Sequence, residues 1–170
     1  MSDIIASNLE SDYKNSWGTD PLVFDALNKE FNFDLDAAAS DENFKCSRYL
    51  TISDDALSIN WSTYYKCAWI NPPYGRGYIK KFMNKCIEQK AKGVTSVMLV
   101  PSTLDAQWLP IDDISEIRII TGGRLSFIHP ITGKKIAGNT KGSMIVIFRP
   151  SKMPLSMRLI DRDELTLGSK

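Results

Sequence analysis

No segment constrains this chain more than Tyr65-Lys66-Cys67-Ala68-Trp69-Ile70 and the tetrapeptide that follows it, Asn71-Pro72-Pro73-Tyr74. The apolar, aromatic run reads as a buried strand. Two adjacent prolines cannot prolong a sheet ladder, because neither has a backbone N–H to give it. They leave carbonyl oxygens without ladder partners, on an extended path beside an Asn amide and a Tyr ring. Together these groups form an acceptor cluster with a stacking platform, suited to a planar group that carries an exocyclic amine. Asn71 and the Pro72 carbonyl can each accept one amine hydrogen while Tyr74 stacks on the ring. A rigid exit turn is the plain alternative reading of Pro-Pro. Gly75-x-Gly77 and a helical stretch follow, however, and open α/β sheets keep their ligands at the C-terminal ends of parallel strands.

At 170 residues and 43% hydrophobic, the chain is long enough for one domain with its own core. No stretch approaches a membrane-spanning apolar run, and the polar start Met1–Asp12 has no secretory signature, so a cytoplasmic location and no membrane partner are expected. Cys46, Cys67 and Cys86 are widely spaced without a CxxC, and read as small core residues. With His129 the only histidine, no metal site is expected. The formal net charge of +1 conceals a polarity. Residues 1–60 hold 12 Asp and Glu against 4 Lys and Arg, whereas residues 61–170 hold 8 against 17. An acidic part suits a cationic or donor-rich ligand and a basic part a polyanion, although dispersed surface charge gives the same count.

Thr19-Asp20-Pro21 predicts a helix start, with Thr19 or Asp20 as cap and a stripe of Phe24, Leu27 and Phe31. Phe33–Asp36 alternates as a short strand and runs into the small-residue turn Asp36-Ala37-Ala38-Ala39-Ser40. Ser47–Thr51 reads as a further short strand. Gly77–Lys92 is the clearest helix, with Ile79, Phe82, Met83, Cys86 and Ile87 on one face and Lys80, Lys81, Lys85 and Lys92 largely away from it. Val94–Val100, Ile114–Thr121, Leu125–Ile128 and Gly142–Phe148 predict later strands, and Pro130–Lys141 a basic loop. Residues 1–13 read as a loose N-terminus and 151–170 as a C-terminal tail, which leaves 1–150 as a single domain. This order implies an α/β fold whose sheet finishes in an antiparallel hairpin.

In its order of short elements the chain resembles the phage-encoded, Dam-like DNA N6-adenine methyltransferases. These elements are Trp17-x-Thr19-x-Pro21; Phe33-x-Leu35-Asp36-x-Ala38-Ala39; Asn43-x-x-Cys46-x-x-Tyr49-x-Thr51; Asp55-x-Leu57-x-x-x-Trp61; Trp69-x-Asn71-Pro72-Pro73-Tyr74-Gly75; Leu99-x-Pro101; and Gly123-Arg124-Leu125-x-Phe127. The resemblance implies a Rossmann-like, seven-stranded S-adenosylmethionine-dependent methyltransferase fold with a mostly parallel sheet. It also implies S-adenosylmethionine as methyl donor, double-stranded DNA as partner, and a bacterial cytoplasm under phage or prophage control.

By the same resemblance, Asn71, Pro72, Pro73 and Tyr74 carry catalysis, and Trp17, Thr19, Asp36, Ala37, Ala38 and Asp55 bind the cofactor. Asp54 is the neighbour able to exchange roles with Asp55. The Asp36–Ala39 turn departs from the glycine-rich turn usual at that position. Lys80, Lys81, Arg124, Lys134, Lys135 and Lys141 are the expected phosphate-tracking residues, and GATC is carried along as a site associated with the family. Trp108 and Phe127 are candidates to stack on an extruded base, with core or lid packing as the plain alternative. Trp17 and Trp61 equally fit a core, Thr19 a helix cap, Asp36 a turn, and His129 a satisfied loop position. Asn-Pro-Pro-Tyr also occurs in enzymes that methylate protein glutamine side chains. N4-cytosine methylation and a non-catalytic DNA-binding relative are the remaining alternatives.

Overall fold

Every residue of Cys67–Ile70 is buried, and the strand can be apolar at each position because both sides of its sheet are covered. The structure, a computed structural model, describes residues 17–75 and 77–167; the expected loose N-terminus at 1–13 lies outside them. In chain order the elements are β1 (Gly18–Thr19), α1 (Pro21–Phe31), β2 (Leu35–Asp36), a 3-10 turn (Trp61–Thr63), β3 (Cys67–Ile70), α2 (Tyr78–Ala91) and β4 (Thr95–Pro101). There follow β5 (Glu116–Thr121), β6 (Phe127–Ile128), β7 (Lys135–Ile136), β8 (Ser143–Phe148), β9 (Ser156–Asp161) and α3 (Arg162–Thr166). Asp20 is the cap of α1, its carboxylate accepting from the Leu22 N–H at 3.1 Å, and Pro21 takes the first helical position.

The main sheet is mixed and has the order β2-β3-β4-β8-β5-β9. Parallel pairs join β2 to β3, β3 to β4 and β5 to β9, and β8 runs antiparallel to both its neighbours. Among the described residues this sheet therefore has six strands where the resemblance implied seven. The expected closing hairpin is present as β5 paired with β8, but β8 inserts between β4 and β5 instead of ending the sheet.

Residues 151–170, expected as a tail, supply the edge strand β9, and α3 packs against α1. Ser47–Thr51 contributes only the isolated bridge between Tyr49 and Asp36. A second, three-stranded sheet, β1-β6-β7, takes in the expected strand at 125–128 as β6 and draws β7 out of the stretch 130–141 expected to be loop.

Alternate side chains of each central strand enter opposite layers. Ala68, Ile70, Met98, Val100, Met144 and Val146 pack with Trp61 and with Ile79, Phe82, Met83 and Cys86 of α2. Trp69, Val97, Leu99, Ile145 and Ile147 pack with Val23, Phe24 and Leu27 of α1 and Leu165 of α3. Lys85, expected to face away, is buried, with its ammonium 6.0 Å from the Trp61 ring and 3.1 Å from Glu88. Trp61 itself is fully buried and donates to the Ala56 carbonyl at 2.9 Å, a core role.

Toward the edge of the sheet opposite β2, an ionic knot joins α1 to β5. Arg118 donates to both Glu30 oxygens at 2.6 Å and to Glu116 at 2.7 Å, while Arg149 and Arg158 also reach Glu116. Phe31 lies against the guanidinium groups of Arg118 and Arg149, at 5.3 and 5.6 Å.

Candidate active site

Register alone brings the expected site segments to one rim. Asp36 at the end of β2 stands beside Trp69, and Ile70 at the end of β3 beside Met98. Because β8 is reversed, its first residue, Ser143, pairs with the last of β4, Pro101, so the loop before β8 arrives at the same rim. The end of β5 brings Gly122, Gly123 and Arg124 there as well. Gly122 has φ 73°, and a Cβ on it would run into the Asp161 carboxylate, so the turn requires glycine.

Asn71 is the first residue beyond β3. Its side-chain nitrogen donates to the Trp17 carbonyl at 3.3 Å, which fixes the amide plane and leaves Oδ1 to accept from another partner. A cavity of about 340 Å³ is lined by Asn71, Pro72, Pro73, Tyr74, Trp17, Phe127 and the segment 136–140, which we call its roof. Its size suits a nucleobase with room for its sugar. Phe127 is buried and faces this cavity, whereas Trp108 lines a second cavity of about 320 Å³ across Tyr74.

A small cleft of about 20 Å³ shares Asn71 and Trp17 with that cavity and is otherwise lined by Gly18, Thr19, Asp36, Ala38, Asn43, Lys45 and Trp69. Asp36 is only 3% exposed and accepts from the Lys45 N–H at 2.9 Å and the Ala38 N–H at 3.3 Å. Burial nonetheless pushes its carboxyl up to about 6, against the pull of those two N–H groups and the Lys45 ammonium. Burial also pushes the Lys45 ammonium down, with Asp36, Asp20 and Asp25 opposing it. A buried carboxylate whose own neighbours do not bring it back to the ordinary range fits a cationic ligand, as a sulfonium or ammonium would be.

The other expected site residues fall as follows. Thr19 lines the cleft, and the Ala37 N–H is held by the Trp69 carbonyl at 3.0 Å. Asp55 sits exposed at φ 51° and accepts from the Ser58 hydroxyl at 2.5 Å, while Asp54 accepts from Thr51; neither lines any of the three cavities. His129 is satisfied in its loop, its Nδ1 accepting from Ile131 and Thr132, with its ring edge-on to Trp17 at 4.9 Å. Burial pushes all three thiols up to about 12, so none supplies a thiolate.

Lys80, Lys81, Lys134 and Lys141 are exposed. Lys135 and Arg124 are not spare: the Lys135 ammonium lies 2.5 Å from the Asp20 carboxylate, and Arg124 donates to the Asn139 carbonyl. Sequence reasoning passed over Lys45 as a site residue and took residues 136–140 only as part of the basic loop Pro130–Lys141. Lys45 carries a usable signal, a lone cation between the hydrophobic Phe44 and Cys46.

Among the described residues, no helix is long and apolar enough to cross a membrane, and no group of three His, Cys, Asp or Glu could hold a metal ion. The profile of the family described as DNA N-6-adenine-methyltransferase (Dam) matches residues 6–169. The chain is 32% identical over 163 residues to a DNA N-6-adenine-methyltransferase of Escherichia phage T1, covering 86% of this chain and 67% of that protein. It is also 32% identical over 149 residues to a DNA N-6-adenine-methyltransferase of Haemophilus phage HP1, covering 85% and 84% of the two. With a family profile spanning nearly its whole length and two relatives at 32% identity, the chain belongs to the DNA N-6-adenine-methyltransferase (Dam) family.

Proposed function

We propose that the chain, acting as one domain, transfers a methyl group from S-adenosylmethionine to N6 of adenine in double-stranded DNA. The observation that carries this reading is the position of Asn71. It lines both the acidic cleft and the base-sized cavity, and its oxygen is left to accept because its nitrogen is engaged by Trp17. Asp36, Thr19, Trp17, Ala38 and Lys45 would hold the cofactor, which when bound would supply an electrophilic methyl group on its sulfonium. Asp55 belongs, at most, to the outer edge of that site. The sheet is read as a methyltransferase-type variant of the Rossmann arrangement, with β8 as its reversed strand.

The chain's own residues act on the amine. The N6 lone pair of adenine is delocalised into the ring, so the amine is a weak nucleophile. Once the base leaves the stack, Asn71 Oδ1 and the Pro72 carbonyl accept its two hydrogens and draw nitrogen toward tetrahedral geometry. These acceptors also stabilise the positive charge that grows on nitrogen. Tyr74 and Phe127 hold the ring plane, and the roof of residues 136–140 excludes water, so positioning supplies much of the remaining rate. Lys80, Lys81, Lys134 and Lys141 track phosphates.

Transfer of tritium from labelled cofactor to duplex DNA, with mapping of the modified base, tests the reading; label on cytosine, or only on protein, refutes it. Asn71→Ala is expected to weaken cofactor binding far less than turnover, which should fall by about 10²–10³. Turnover within about tenfold of the parent, about 1.4 kcal/mol in barrier, would show that Asn71 is not the acceptor.

A further inference from the structure

We infer that Lys135 and Arg124 are positioning residues that hold the roof of the base cavity closed, and are not phosphate ligands. This rests on the assignment of that cavity to the target adenine.

The roof has little else to hold it. Strand β7 is two residues long, both exposed, and pairs only with β6. The segment from Ala137 to Thr140 has no regular structure, and Gly138 within it takes φ 92°. The two cations fasten it near either end. Lys135, just before the roof, reaches Asp20, and Arg124, on the glycine turn after β5, donates to the carbonyl of Asn139 inside it.

The Asp20 anchor is unusually demanding. Its carboxylate is 4% exposed, one oxygen caps α1, and the other is buried with no hydrogen-bond partner besides the approach of the Lys135 ammonium. Removing Lys135 would take from this buried oxygen its contacting cation and leave only the through-space pull of Lys45, a costly state. A DNA phosphate competing for Lys135 must impose that same penalty, so the cation stays with Asp20. The clamp fixes the height of the roof over Asn71, Tyr74 and Phe127, and a small misplacement there costs rate rather than DNA affinity.

The test compares Lys135→Gln, Asp20→Asn and the double variant with the parent. Asn caps a helix as well as Asp, so the second change removes the charge and keeps the helix start. Steady-state kinetics on duplex DNA and the salt dependence of DNA binding are the readouts. Each single variant is expected to lose about tenfold to a hundredfold in kcat. The KM for DNA and the log–log salt slope should stay at the parent's values, the double variant should be no worse than either single, and Lys135→Arg should restore most of the rate.

A salt slope smaller by about 0.9 in Lys135→Gln marks a lost phosphate contact and overturns the inference, whatever happens to kcat. An unaltered kcat in Asp20→Asn, or losses that multiply in the double variant, overturns it too. If the parent methylates no adenine, the functional assignment fails instead, and the salt slopes still separate clamp from phosphate ligand.

Discussion

Asp36 offers the most direct test of the acidic cleft, because its burial writes a signature into the stability of the empty protein. Its carboxyl ordinarily titrates at 3.8 and is pushed up to about 6 by burial. The folded state therefore holds this proton over a pH range in which the unfolded chain has released it. That preference stabilises the fold fully below 3.8 and is lost as the pH rises through about 6. The gap between the two values corresponds to about 3 kcal/mol, of which about 1.4 kcal/mol appears between pH 8 and pH 5. Asp36→Asn cannot titrate there, so its stability relative to the parent should improve by that amount on going from pH 5 to pH 8. The constant cost of exchanging the hydrogen bonds from Lys45 and Ala38 cancels in this difference.

Urea unfolding of both proteins at several pH values measures it. In the same variant, affinity for S-adenosylmethionine should fall by about tenfold or more, since one charge-assisted contact contributes roughly 1.5–3 kcal/mol. For the parent, cofactor affinity should rise as the pH passes through 6, with proton release on binding. A stability difference that does not change with pH, or an undiminished affinity, would refute the view of Asp36 as a buried anion waiting for a cation.

Further perturbations probe the frame around the site. Burial opposes ionisation of Glu116, but Arg118, Arg149 and Arg158 overcome it and hold the carboxyl down at about 2, from an ordinary 4.5. Its stabilisation is thus present above pH 4.5 and lost as the pH falls toward 2, and Glu116→Gln should cost about 3 kcal/mol at neutral pH and flatten the acid limb of the stability curve. Gly122→Ala places a Cβ against Asp161 at φ 73° and should destabilise by about 1–3 kcal/mol in thermal unfolding, with kcat falling as Arg124 shifts. An unchanged melting midpoint would mean that the turn can relax away from Asp161.

The parts of this fold that can be read from sequence are those in which a single strong preference decides the outcome. Cys67–Ile70, Thr95–Pro101 and Ser143–Phe148 are apolar at nearly every position because two layers cover them, and Tyr78–Ala91 carries one apolar stripe. The rim residues Asn71–Tyr74 and Asp36 are legible for a related reason: prolines and an acidic turn punctuate a buried strand. What escapes is held by partners distant in the chain. Strand β9 exposes Met157 and Leu159 and is fixed mainly by its pairing with β5, so its composition resembles a tail. Lys135–Ile136 is exposed throughout and becomes a strand only against β6. Lys85 looks like a surface cation until the Trp61 ring is found beneath it. The partners of Lys135 and Arg124 are hidden for the same reason, because a lysine or arginine in a basic loop gives no sign of the carboxylate or carbonyl across the fold.

The small sheet carries a consequence for how the two substrates communicate. Gly18 and Thr19 lead into the acidic cleft, yet their ladder partners are Ile128 and Phe127, and Phe127 is a wall of the base cavity. On the proposed assignment, one side of the donor's berth and one side of the acceptor's are then paired strands of a single small sheet. Coupling through that ladder is expected to make donor and DNA affinities measured separately differ in product from that of the ternary complex; a product that matches would show the two sides to be independent.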